Sequence, residues 1–328
     1  MLTKKENALL ALRGEKTEYV PCFFDSCQII APRTHLEMPP GRQAGYDGYG
    51  VHQTPTESSG GMFTPTPEIT PVLEDVTQWR SVVQFPDYSS VDFATLSQQE
   101  KERFRLDPEH YVQDLFCANG IFERLHFLMG FENALCALYE EPEAVYDLVG
   151  AIADKKIEFI RLADQYYHPD YFTYLDDYAH MNGLFMSPDI FRRIFKPHIA
   201  RIVEACNETD MVYKQHCCGK MERLFDDFLD LGITAFDPVQ PVNDIPAMKK
   251  RAGGKAGIMG GLDVQNVVDR PGVTDREIEA EVRRCVEEYG PGGGYMVYGA
   301  SVHMYNPEER RPGGKIAVVC EACEKYGK

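Results

Sequence analysis

The sequence predicts an α/β protein folded as a (β/α)8 TIM barrel, one domain over residues 1–328 with a Gly/Pro-rich insertion near the second strand. Three observations predict it. Short runs rich in β-branched and aromatic residues recur along the chain, and helix-period segments alternate with them, as in a parallel sheet covered by helices. Eight such runs can be counted, the number a closed barrel needs. The chain has 328 residues, of which 44% are hydrophobic, enough for a single large core of this kind.

The strands are expected at 19–24 (YVPCFF), 49–53 (YGVHQ), 111–117 (YVQDLFC), 171–175 (YFTYL), 211–215 (MVYKQ), 234–236 (TAF), 256–260 (AGIMG) and 295–299 (YMVYG). Helices are expected over 143–167, 187–207, 221–232, 274–290 and 307–327. Ser187 before Pro188 is an N-cap followed by an N1 proline, and Thr274 with Glu277 three residues on forms a capping box. Gly232 and Gly290 stand where helices end. Residues 38–72, dense in Gly, Pro, Ser and Thr, interrupt the alternation and read either as an inserted hairpin or as a lid over the barrel mouth.

The net charge of −17 argues against nucleic acid as a partner, because phosphate binding needs clustered Lys and Arg. No run approaches the roughly 18 apolar residues of a membrane span. The N-terminal MLTKKENALLALRGEK is too short and polar for a secretory signal. A cytoplasmic location is therefore expected. Ten cysteines scattered through a long chain are not a disulfide framework. Cys136, Cys206 and Cys285 fall in helical patterns as small core residues. The Cys320/Cys323 pair sits inside a helical pattern and not at the strand-to-helix turn a redox motif needs.

A barrel of this kind carries its chemistry at the C-terminal ends of its strands. Reading those positions in order gives Asp25, His52, Cys117 with Asn119, Asp176 with Asp177, His216 with Cys218, Asp237 with Gln240, Asp263, and Ser301 with His303. The sharpest local motif is KQHCCGKMERLF at 214–225. His216 and Cys218, two apart after a strand, can reach one Zn²⁺, and Gly219 frees the backbone to turn into a helix. The plainer alternative is a hydrogen-bonded His216 beside packed cysteines. Of Asp176 and Asp177 one should face the mouth, to accept a proton, hold a cation or orient a metal-bound histidine; alternatively one caps a helix and the other is solvated. Asp263, after Gly260 and Gly261, is either aimed at the site or caps the next segment. GPGGGY at 290–295 precedes a strand and reads as a tight turn.

The segments HCCGKMERLFDDFLDLGITAFDPVQP, KAGIMGGLDVQNVV and GGGYMVYGASVHMYNPEERR, preceded by YLDDYAHMNGLFMSPDIFRRIFKP, resemble the uroporphyrinogen decarboxylase superfamily over roughly residues 143–327. The resemblance implies a (β/α)8 barrel and one of two chemistries. Uroporphyrinogen decarboxylases bind their tetrapyrrole through an arginine-rich motif after the first strand; here that region reads FFDSCQIIAPRTHLEM, and the strand ends are acidic. The other branch contains zinc-dependent methyltransferases that exchange methyl groups between a corrinoid protein and a thiol. By resemblance His216 and Cys218 are zinc ligands, and His303 is taken as the third because Ser301 stands where those enzymes have a cysteine. Asp25, Asp176 and Asp263 are the expected catalytic carboxylates, and His52, Asp177, Gln240 and Ser301 the expected substrate pocket. The implied function is zinc-dependent methyl transfer between a small thiol or methyl ether and a corrinoid. Uroporphyrinogen decarboxylation, or a metal-dependent lyase or hydrolase on the same barrel, is the alternative. The partners this allows are a small methyl donor or acceptor, a corrinoid protein and a second copy of the chain.

Overall fold

Seven parallel strands form the central sheet of the computed structural model, which describes residues 2–41, 43–56, 61–300 and 306–328. In chain order the strands are β1 (Cys27–Ile30), β2 (Gly45–Tyr46), β3 (His52–Thr56), β4 (Met62–Pro65), β5 (Val112–Cys117), β6 (Tyr171–Leu175), β7 (Ala179–His180), β8 (Gly183–Leu184), β9 (Val212–His216), β10 (Ala235–Val239), β11 (Gly257–Gly261) and β12 (Tyr295–Tyr298). The barrel sheet runs β1-β5-β6-β9-β10-β11-β12. It curls until Cys22 pairs in parallel with Val297 of β12, and the Val297 N–H donates to the Pro21 carbonyl at 2.9 Å. The segment before β1 therefore closes the seven-stranded sheet on itself through this bridge. The seam is filled by aromatic packing, with the Phe23 and Phe24 rings 4.6 and 5.7 Å from Tyr298.

Two strand expectations need correction. The expected first strand, 19–24, stops at its pairing residue Cys22, because Phe23–Ser26 coils into one helical turn. The expected second strand, 49–53, is not in the barrel. Its residues enter β3, the middle strand of an antiparallel sheet β2-β3-β4 within the insertion. The barrel position is held by the short CQII run of β1, which pairs with β5. Four residues are too few to display a period, whereas the Val51-His52-Gln53 alternation suits a ribbon with one wet side. Each of the remaining six expected strands is present, 171–175 with the expected bounds and the others differing by one to three residues at an end.

The helix Lys4–Leu12 lies across the N-terminal ends of the strands. Its Lys5 Nζ is 2.8 Å from the Asp170 carboxylate just before β6, and a Cβ on Gly257 would stand 2.4 Å from the Ala11 carbonyl. That end is thus closed, leaving the C-terminal end open for chemistry. The helices Pro142–Tyr167, Lys196–Asn207, Asp275–Tyr289 and Lys315–Tyr326 form the outer layer. Ser187 and the Thr274–Glu277 box cap as their spacing predicts. Cys206 and Cys285 are buried, but Cys136 is exposed on the outer face of its helix.

The insertion is pinned by a buried charge cluster. Arg124, fully buried on the helix Ile121–Met129, binds the Glu37 carboxylate and Asp47 Oδ2, the latter at 2.6 Å. Lys156 reaches the other Glu37 oxygen from the helix Pro142–Tyr167. Gln53 of β3 donates to the Glu37 carbonyl at 2.9 Å, and the Arg124 guanidinium lies 4.2 Å over the Tyr49 ring. Two cations and two carboxylates, all desolvated, hold the insertion in one register against the barrel.

Candidate metal centre

Parallel register sets the centre. Leu175 of β6, His216 of β9 and Asp237 of β10 are neighbours across three strands, so the residues just past Leu175 and His216 meet at the mouth. Asp177, His216 and Cys218 converge there, with one ligand atom from each within 4.8 Å of the others. Cys218 Sγ is 3.5 Å from His216 Nε2, and Asp177 Oδ1 is 3.9 Å from the same nitrogen. The Cys218 N–H donates to Asp177 Oδ1 at 2.6 Å. Gly219 turns the chain with φ +81°, and a Cβ there would stand 2.7 Å from the Ala179 backbone. Its N–H donates to Gln240 Oε1 at 2.6 Å, tying the turn to the end of β10.

Behind His216 runs a line of buried charges through the barrel interior. His216 Nδ1 is 3.1 Å from Asp237 Oδ1, and Asp237 Oδ2 is 3.1 Å from Lys214 Nζ. Lys214 also binds Asp114, which accepts from the Thr173 hydroxyl. The Asp237 oxygens are not aligned with an N–H among the described residues, so charge rather than hydrogen-bond direction holds them. Burial pushes the Asp237 carboxyl up, but Lys214 and His216 outweigh it and hold its pKa below the ordinary value. For His216 burial opposes protonation, while Asp237 and Asp177 prevail and raise its pKa. Burial, with Asp177 beside it, pushes the Cys218 thiol well up.

A tetrahedral ion bonded at about 2.0–2.3 Å spaces its donors roughly 3.3–3.8 Å apart, close to the 3.5 and 3.9 Å measured here. The donors are an imidazole, a thiol and a carboxylate, all types zinc accepts. The imidazole is oriented from behind by a carboxylate, the usual support of a metal-bound histidine. A divalent cation would also supply the positive charge that the Cys218 thiol needs in order to ionise in so buried a place. The residues fit zinc.

The other expected site residues that are described fall in three groups. Asp177 and Gln240, assigned to the substrate pocket, lie at the centre itself, with Asp177 among the donors. Asp176 is next to it but turned away. Its carboxylate accepts from the N–H groups of Phe122 (3.2 Å) and Glu123 (2.9 Å) and from the Tyr178 hydroxyl, so it caps the helix Ile121–Met129. Burial raises its pKa to about 7 against those hydrogen bonds. Asp263 likewise caps the turn Val264–Val268, accepting from Asn266 N at 3.0 Å. It also lines a cavity of about 250 Å³ at the ends of β10, β11 and β12, shared with Gln240.

Asp25 and His52 are held elsewhere. Asp25 pairs with Lys4 at 2.6 Å, beside the helix Lys315–Tyr326 and the N-terminal helix. His52 bonds Thr66 Oγ1 at 2.7 Å within the insertion and packs edge-on to Tyr46. Ser301 and His303 lie outside the described residues. Cys217 is buried beneath the turn, its Sγ accepting from Tyr178 N.

Sequence reasoning missed Lys214, Asp114 and Glu123. Lys214 shares strand parity with His216, and an inward lysine on a buried strand was the available signal. Glu123, in the first turn of its helix, passes for a residue that merely complements the helix dipole. Here burial, with the charges of Asp177 and Asp176, raises its pKa well above the ordinary range.

A family profile described as uroporphyrinogen decarboxylase (URO-D) matches residues 117–325. Methylcobamide:CoM methyltransferase MtaA from Methanosarcina barkeri is 25% identical over 157 residues, which is 48% of this chain and 40% of that protein. The chain thus matches less than half the length of this curated relative. A solved methyltransferase from Methanosarcina mazei superposes over 99% of both chains with a TM-score of 0.69 at 16% identity, a likeness of fold.

Proposed function

The chain belongs to the uroporphyrinogen decarboxylase family, and from that premise we propose that it is a zinc-dependent methyltransferase moving a methyl group between a small substrate and a corrinoid carried by a partner protein. The observation that carries the reading is the convergence of Asp177, His216 and Cys218 with Asp237 behind the imidazole. His216 Nε2 and Cys218 Sγ would hold the metal, with Asp177 as third donor, a set that zinc accepts with room for one further ligand. His303, the third ligand expected from the resemblance, is the alternative donor. When bound there, zinc supplies Lewis acidity, either lowering the pKa of a thiol or polarising the oxygen of a methyl ether.

The protein's own groups do the rest. Asp237 fixes the imidazole with Nε2 outward, and Lys214 keeps Asp237 ionised. Gln240 holds the Gly219 turn that presents Cys218. Glu123, whose pKa is raised by burial and by the charges of Asp177 and Asp176, could keep or give up a proton near the reacting group. The decarboxylase alternative needs cations for a polycarboxylate, whereas the described lining of the cavity carries Asp263 and no Lys, Arg or His.

Metal analysis of the purified chain tests the reading. About one zinc per chain is expected, lost in His216→Ala and in Cys218→Ala, together with methyl exchange between methylcobalamin and a thiol. A metal-free protein that decarboxylates a tetrapyrrole would overturn it.

A further inference from the structure

We infer that the small substrate carries no negative charge: the mouth is built for a neutral or cationic methyl compound and against an anionic one such as a sulfonate or carboxylate. This rests on the zinc reading above and narrows it to a substrate class. The cavity of about 250 Å³ is linked to the centre through Gln240, which lines it and accepts from the Gly219 N–H next to Cys218. Its walls are Met181, Pro238 and Val242, with Gln240, Gln265 and Asn266 as uncharged polar groups. None of the described lining residues is Lys, Arg or His, and the charged one is Asp263.

Among the described residues, the buried cations near the mouth are already engaged. Lys214 is bound below His216 by Asp114 and Asp237. Lys156 and Arg124 are consumed by Glu37 and Asp47. Lys220, one residue past the Gly219 turn, lies 3.7 Å from Glu222. The metal would not make good the deficit, because a thiolate and a carboxylate among its donors cancel the charge of a divalent ion. Asp263 then leaves the cavity wall negative, and the chain's net charge of −17 adds a field of the same sign. A bound anion would lose its hydration with no cation to replace it.

Three thiols of one skeleton isolate the charge: 2-aminoethanethiol, 2-mercaptoethanol and 2-mercaptoethanesulfonate. Their binding to the zinc-loaded protein is measured by titration calorimetry, in wild type and in Gln265→Arg, which puts a guanidinium on the exposed cavity wall. The sulfonate is expected to bind at least about tenfold more weakly than the neutral thiol, near 1.4 kcal/mol, and Gln265→Arg is expected to narrow that gap. Zinc uptake with the sulfonate bound as tightly as the neutral thiol, or with no thiol bound, overturns this inference alone. A chain that takes up neither zinc nor any of the thiols removes the methyltransferase reading and the inference together.

Discussion

His216 Nδ1 stands 3.1 Å from Asp237 Oδ1, and this pairing turns Nε2 toward Cys218 Sγ, 3.5 Å away. The carboxylate behind the ring is itself buried and backed by Lys214. Asp237→Asn keeps the shape but removes the charge that orients the imidazole. Zinc affinity, read by competition with a chromophoric chelator, is expected to fall about 10- to 100-fold. Unchanged affinity would show the ring to be fixed by packing alone.

Cys217 and Cys218 separate by role. Cys218→Ser is expected to weaken zinc binding strongly, because a hydroxyl remains protonated where a thiolate is needed. Cys217→Ser leaves the donors in place and is expected to retain stoichiometric metal, with a modest loss of stability from burying a hydroxyl. Equal metal loss in both variants would mean that the turn as a whole, and not one sulfur, holds the ion.

Arg124 gives the insertion its fixed place. Arg124→Met leaves the buried Glu37 and Asp47 with Lys156 as their remaining cation, and about 3–5 kcal/mol of stability is expected to be lost. The midpoint of urea unfolding reads this, and limited proteolysis should show cleavage appearing first within the insertion. An unmoved midpoint would contradict the assigned burial.

His35 makes the same region sensitive to acid. Burial, with Lys156 and Arg124 nearby, holds its pKa at about 3, against an ordinary 6.5. Its Nδ1 accepts from Glu37 N at 3.0 Å. Above pH 6.5 the ring is neutral in both folded and unfolded chains and costs nothing. Between 6.5 and about 3 the unfolded chain takes the proton and the folded one does not, so stability falls as pH falls through that window. Between pH 6.5 and 4.5 this amounts to roughly 2–3 kcal/mol. The loss is expected to be smaller in His35→Gln by about that amount, compared by urea unfolding at the two pH values.

Local sequence was enough for the barrel and for setting His216 and Cys218 side by side past one strand. Strand runs of five or six residues, a proline-led helix start and a capping box are written in neighbouring residues, and the structure keeps them. The same holds for His216 and Cys218, whose spacing after a strand is a local fact. It failed at β1, where four residues carry no readable period and pairing with β5 decides.

Tertiary structure alone decided which carboxylate joins the centre and which does not. Asp176 and Asp177 are indistinguishable in sequence, yet one caps a helix from the next strand unit and the other faces Cys218. Asp25 and Asp263 were legible as strand-end acids, but Lys4 and a local turn claim them. The line Asp114–Lys214–Asp237–His216 joins residues up to 123 positions apart. Coulomb attraction in a dry interior depends on distance in space, and only the closing of the sheet brings those charges within reach of one another.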